Sequence, residues 1–211
     1  MSEPPLDCRI CDRLAAFRDA NRIAYPEFYN NPVPSFGPAD ASLLVVGLAP
    51  GLKGANKTGR PFTGDYAGDL LYETLGTYGF ARGTYAADPD DGLQLVDCRI
   101  TNAVRCVPPE NKPIGTEIRN CRPFLATTIE QAGGLKAIVA LGRIAHDSVL
   151  TALDARRASY PFGHGARHDF GSFSLFDSYH CSRYNTNTRR LTPEMFQAVF
   201  AEVRREVDAR V

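Results

Sequence analysis

The chain has 211 residues, 44% hydrophobic and 23% charged, an ordinary globular profile that can bury a core without covalent staples. This excludes a disordered tail, a collagen-like repeat and a coiled coil, and no apolar run reaches the roughly eighteen residues of a membrane span. Lys+Arg and Asp+Glu both number 24, so a nucleic-acid partner can be argued only from local clusters of charge.

The N-terminal stretch MSEPPLDCRICDRL carries acids and no apolar segment, so it does not read as a secretory signal. A cytoplasmic location follows as the expectation, and the six cysteines are then free thiols or metal ligands rather than disulfides. SLLVVGL (42–48) is a continuous apolar run and reads as a buried strand. Residues 49–64 are dense in glycine and proline and form a loop. From Asp65, apolar residues at Leu70, Leu71, Leu75 and Tyr78 recur at helical spacing. LQLVDCRITN (93–102) reads as a second strand, and 103–115 as irregular chain with three prolines. A helix is predicted from about Thr116 to Gln131, ended by Gly133-Gly134. KAIVALG (136–142) is a third buried strand and Gly142–Leu153 a helix. SFSLFDSYH (172–180) is a fourth strand, and Thr192-Pro193 opens a C-terminal helix.

Alternating strands and helices predict a parallel sheet covered on both faces. Ligands of such sheets sit beyond the carboxyl ends of the strands. Residues 47–66, 101–112 and 180–190 fall there and are polar. The first carries Lys53, Lys57 and Arg60, and the last Arg183, Arg189 and Arg190; neither basic stretch contains an acid over 47–64 or 180–190. If these loops converge, a neutral chain presents a positive face.

Three features bear chemistry. Cys8 and Cys11 form a C-x-x-C, and Cys106 and Cys121 bracket the Pro-rich segment, with Arg9, Arg105 and Arg122 beside them. Four thiolates suit either zinc or an iron–sulfur cluster, and spacing does not choose between them. Phe62, between Pro61 and Thr63, is either a loop anchor or a stacking platform. Asp65 is either a helix N-cap or a catalytic carboxylate, and His180 either a structural histidine or a donor at the crevice edge.

Three motifs then define a resemblance: GLAPG with TGRPFTGD at 58–65, ITNAVRCVPP at 100–109, and HCSRYNTNT at 180–188. Together with the four cysteines they resemble the iron–sulfur group of uracil-DNA glycosylases called family 5, from residue 8 to about 192. The resemblance implies a single domain over 1–211 with an N-terminal cluster-binding segment, built as a three-layer α/β/α sandwich on a four-stranded parallel sheet. It implies a 4Fe-4S cluster on Cys8, Cys11, Cys106 and Cys121 and hydrolytic removal of uracil, and of other deaminated bases such as hypoxanthine, from DNA. Asp65, Asn102 and His180 become the catalytic group, and Phe62, Gly47, Ala49 and Gly51 join Asn102 and His180 around the flipped base. Lys57, Arg60, Arg183, Asn185 and Arg189 become DNA contacts of a monomeric enzyme. Leu48 and Ala49 stand where many glycosylases carry a water-positioning polar residue, a lack that family 5 shares. The competing expectations are a metal-stabilised DNA-damage binding module without turnover and a small redox carrier.

Overall fold

The computed structural model describes residues 3–210; residues 1, 2 and 211 of the expected domain lie outside them. In chain order it contains α1 (Asp12–Ala24), β1 (Leu43–Gly47), α2 (Ala55–Thr58), α3 (Tyr66–Thr77), β2 (Ala81–Arg82), β3 (Gln94–Leu95) and β4 (Cys98–Asn102). There follow α4 (Gly115–Gln131), β5 (Ala137–Leu141), α5 (Arg143–Ala152), β6 (Arg167–Asp169), β7 (Ser174–Ser178), α6 (Arg183–Asn187) and α7 (Pro193–Ala209). The main sheet has the order β4-β1-β5-β7-β6, while β2 and β3 pair separately.

The first four strands of that sheet are parallel, as predicted. The four-stranded expectation is corrected by β6, which adds a fifth strand antiparallel to β7. Arg-His-Asp has no apolar run and leaves Arg167 and Asp169 exposed, so hydrophobic periodicity does not mark it.

Strand pleating divides the core in two. Leu43 and Val45 of β1, with Ala137, Val139 and Leu141 of β5, face a layer that contains Leu71 and Leu75 of α3 and Phe196 and Phe200 of α7. Leu44, Val46, Ile138 and Ala140 face Leu125 and Ile129 of α4 and Val149 and Leu150 of α5. β1 and β5 are buried on both faces because helices cover both, the α/β/α sandwich expected from unbroken apolar runs. Each fully buried Leu, Val or Phe here stabilises the fold by about 1.5–3 kcal/mol.

The strand predicted over 93–102 is interrupted. Asp97 takes a left-handed φ of 52°, and its carboxylate accepts the Ser42 N–H at 2.7 Å, so β4 begins only at Cys98. Helix α1 is absent from the hydrophobic pattern because its buried face includes Arg18 and Asn21 beside Leu14 and Ala15.

The added edge strand is tied by a buried carboxylate. Asp177 of β7 meets His146 Nδ1 at 2.7 Å and His168 Nε2 at 3.1 Å, and accepts the Gly163 N–H at 3.3 Å. His146 Nε2 lies 2.9 Å from the Tyr160 carbonyl. With an acceptor at each nitrogen, the His146 ring is satisfied only as an imidazolium. Burial pulls its pKa down, but the Asp177 hydrogen bond and charge outweigh this and raise it above 6.5. A raised folded-state pKa contributes stability that is complete below the unfolded value and lost as pH rises through the folded one. Denaturant unfolding between about pH 6 and pH 9 is therefore expected to show wild-type stability falling with pH. Asp177→Asn is expected to cost about 3 kcal/mol at the acidic end and to flatten the slope. A wild-type slope of the opposite sign would contradict the charged pair.

Candidate active site

The carboxyl ends of β1, β4 and β7 deliver three loops to one hollow of about 580 Å³. Phe62 and Asp65 from the first loop, Asn102 from the end of β4 and His180 just past β7 all line it, with Leu48, Ala49 and Gly51. Two backbone hydrogen bonds run the first two loops side by side beyond the sheet, Ala103 N–H to Gly47 O at 2.9 Å and Val104 N–H to Leu48 O at 3.0 Å.

Gly47 stands directly beside Asn102 in the parallel register. A Cβ at Gly47 would overlap Asn102 Oδ1 and the Phe62 ring, so only hydrogen fits there. The Asn102 side chain is held against this flat backbone at 3% exposure. Its amide reaches the hollow, and no hydrogen bond to it is formed among the described residues. One acceptor and two donors are thus free for a ligand edge.

Phe62 takes a left-handed φ of 54°, costly for a bulky side chain, and is buried. Its ring stacks on His180 with centroids 5.9 Å apart and planes at 26°. The ring is packed as a loop anchor and also forms part of the cavity wall.

His180 opens partly into the hollow and has no hydrogen-bond partner for its ring among the described residues. Burial alone pushes its pKa down to about 4. The ring is therefore neutral near pH 7, with one N–H to give. Its carbonyl accepts Asn185 Nδ2 at 2.8 Å.

Asp65 caps α3, as one of its two expected roles requires, and also faces the hollow. Its Oδ1 accepts the Gly68 N–H at 3.3 Å as the cap of α3, while the same side chain lines the hollow. Its other oxygen packs on Gly54, where a Cβ would come within 2.5 Å of it. Burial raises its pKa more than the Gly68 and Ala67 N–H groups lower it. The site thus holds a carboxylate whose charge is poorly solvated beside a neutral imidazole.

Of the expected DNA contacts, Lys57, Arg183 and Arg189 are exposed, and Arg183 lies over the Tyr66 ring at the rim, 5.4 Å from its centroid. Arg60 is corrected: it is 5% exposed and forms a two-pronged ion pair with Asp91 at 2.7 and 2.8 Å, so it does not face solvent phosphates. Asn185 is turned inward to the His180 carbonyl rather than outward. Tyr66 and Asn111 also line the hollow and were not singled out in the sequence. Tyr66 was hidden by its place next to the capping aspartate, and Asn111 by an irregular loop in which it takes a φ of 57°.

Cys8, Cys11, Cys106 and Cys121 line a second, small pocket. Three N–H donors point at its sulfurs: Arg105 N at 3.4 Å from Cys121, Asn120 Nδ2 at 3.5 Å from Cys11, and Arg18 Nη1 at 4.0 Å from Cys106. Burial, with the neighbouring sulfurs adding to it, pushes the Cys106 thiol up to about 12 and Cys121 up to about 11. Four ionised sulfurs are stable here only with a cationic group among them, which is the donor set of a soft metal site. Cys98 and Cys181 are fully buried elsewhere, and Cys181 donates to the Ala67 carbonyl.

A doubly covered parallel sheet with a mixed polar and apolar hollow at its strand ends has the architecture of an α/β enzyme that takes a small ligand group. Residues 34–204 match the family described as the uracil DNA glycosylase superfamily. The chain is 42% identical over 204 residues to the type-5 uracil-DNA glycosylase of Thermus thermophilus, covering 94% of this chain and 93% of that one. It is 38% identical over 198 residues to the type-5 uracil-DNA glycosylase of Pyrobaculum aerophilum, covering 92% and 86%. A type-4 uracil-DNA glycosylase of the same organism is 34% identical over 142 residues, covering 66% and 63%. The chain belongs to the uracil-DNA glycosylase superfamily, in its type-5 group. No helix among the described residues is long and apolar enough to cross a membrane.

The protonation state of His180 is directly measurable. In imidazole NMR titrations His180 is expected to remain neutral until about pH 4. A midpoint near the ordinary value of about 6.5 would contradict the desolvated donor.

Proposed function

We propose that this protein hydrolyses the N-glycosidic bond of uracil, and of other deaminated bases such as hypoxanthine, in DNA. It acts as a single-domain monomer and leaves an abasic site without cutting the strand. The observation that carries this reading is the meeting of Phe62, Asp65, Asn102 and His180 around one hollow.

A base inside a duplex is inaccessible, so the target nucleotide is extruded into the cavity, at least cost when it is mispaired. Phe62 stacks on the extruded base, and the free Asn102 amide pairs with a carbonyl and an N–H of its edge. Bond cleavage moves negative charge onto the leaving base and leaves an oxocarbenium-like sugar. Neutral His180 donates to the base carbonyl where that charge collects, and the Asp65 carboxylate stabilises the cationic sugar. Leu48 and Ala49 orient no water, so Asp65 is the polar group left for that work. Lys57, Arg183 and Arg189 meet phosphates around the mouth.

For the cysteine pocket, Cys8, Cys11, Cys106 and Cys121 would hold a 4Fe-4S cluster. A bound cluster would offset part of the charge of the four thiolates, and Cys8, Cys11, Cys106 and Cys121 would thereby tie the N-terminal segment to α4; no step of base removal passes through it. Free thiol ligands of this kind persist in a reducing cytoplasm.

A labelled uracil-containing duplex, treated with alkali after incubation, reports the product. Cleavage by the wild type and none by the Asp65→Asn, His180→Ala double variant is expected. Tight binding without any excised base would instead mark a damage-binding module.

Asp65→Asn alone separates chemistry from folding. Asn caps a helix as well as Asp does, and it removes a charge that burial disfavours. Excision is expected to fall on the order of 10²-fold while the melting temperature holds or rises. A large loss of stability would reduce Asp65 to a cap. Cys121→Ala is expected to lose the brown colour and iron content along with thermal stability. A colourless wild type with zinc by metal analysis would overturn the cluster.

A further inference from the structure

Arg60 is placed for a task other than gripping phosphate. Its Nε donates to Thr63 Oγ1 at 2.7 Å, and its two terminal nitrogens hold the Asp91 carboxylate. Its guanidinium carbon lies 5.3, 5.4 and 5.8 Å from the ring centroids of Phe36, Tyr72 and Tyr85. Those two tyrosines bind the backbone around Phe62. Tyr72 donates to the Pro61 carbonyl at 2.6 Å, and Tyr85 donates to the Phe62 carbonyl at 3.2 Å and accepts the Gly64 N–H at 3.2 Å. Four consecutive residues, Pro61 to Gly64, are thus each fixed by Arg60 or by an aromatic ring stacked on it.

Asp91 is presented for this contact. It accepts N–H groups from Ala86 at 2.9 Å and Leu93 at 3.0 Å, so the turn between β2 and β3 is folded around it. The ion pair is buried on both sides. Between Pro61 and Thr63, both held in this way, stands Phe62, whose left-handed backbone is adopted only where the surroundings over-determine it. That backbone aims the ring at His180 and leads directly into Asp65.

We propose that Arg60, paired with Asp91, is a positioning residue for base excision: it holds Phe62 in its left-handed conformation and so fixes the aromatic wall of the cavity. The proposal rests on the glycosylase reading above. A buried, hydrogen-bonded pair of this kind specifies one geometry more than it adds stability, and placement errors at a reacting centre are costly in rate.

The test is single-turnover excision of uracil from a duplex at saturating enzyme, with DNA affinity followed against salt, for wild type, Arg60→Lys, Phe62→Ala and the double variant. Lysine keeps the charge but loses the fork and the flat stack. Arg60→Lys is expected to slow the single-turnover rate about 10-fold at full amplitude, to keep the wild-type salt slope, and to cost nothing further on Phe62→Ala. A merely structural role would lower the amplitude and leave the rate. Wild-type rate, a penalty undiminished on Phe62→Ala, or a salt slope reduced by about one would each overturn the proposal. Should Arg60→Lys fail to fold, Tyr85→Phe, which deletes only the hydroxyl bonded to the Phe62 carbonyl and the Gly64 N–H, must show the same dependence on Phe62. Wild type that excises nothing overturns the glycosylase reading together with this one, whereas an active wild type with an unaffected Arg60→Lys overturns this one alone.

Discussion

The cavity depends on a close approach of backbone to side chain at the end of β1. Gly47 has no side chain, so Asn102 of the neighbouring strand and Phe62 of the following loop can both lie against it. Parallel pairing of β1 with β4 sets the height of Asn102, and the missing Cβ sets its depth. Tertiary structure then needs only to bring β7 alongside β5 for His180 to arrive at the same place.

Burial acts in opposite senses on the two titratable groups of the site. It keeps His180 neutral, so the ring can donate without carrying a charge. It also makes the Asp65 carboxylate expensive to ionise, and a helix terminus beneath it partly compensates. A poorly solvated anion facing an apolar-walled hollow is an environment in which a developing positive charge is welcomed. The cost is local instability, a usual feature of sites shaped for function rather than for folding.

Much of this was legible in the sequence because the signals were local. β1 and β5 are unbroken apolar runs, and Thr192-Pro193 caps α7 as its chemistry dictates, with Thr192 accepting the Met195 N–H. The three loops could be placed at strand ends from alternation alone. What escaped depends on distant partners. Arg60 lies in a basic loop and was expected to meet DNA, but its partner Asp91 sits 31 residues on, in an acid-rich turn that resembles solvated surface. β6 and the His146–Asp177 pair escaped for a similar reason: one charged residue type satisfies another across the sheet, which no periodicity records. α1 was hidden because a buried arginine and asparagine interrupt its apolar face.

The segment after β4 belongs to both pockets. Asn102 ends in the hollow, Cys106 is four positions further along in the cysteine pocket, and Asn111 returns to the rim of the hollow. The same short stretch of covalent chain is therefore a wall of both. A displacement at Cys106 has only four residues of backbone to cross before it reaches Asn102 and the shape of the hollow.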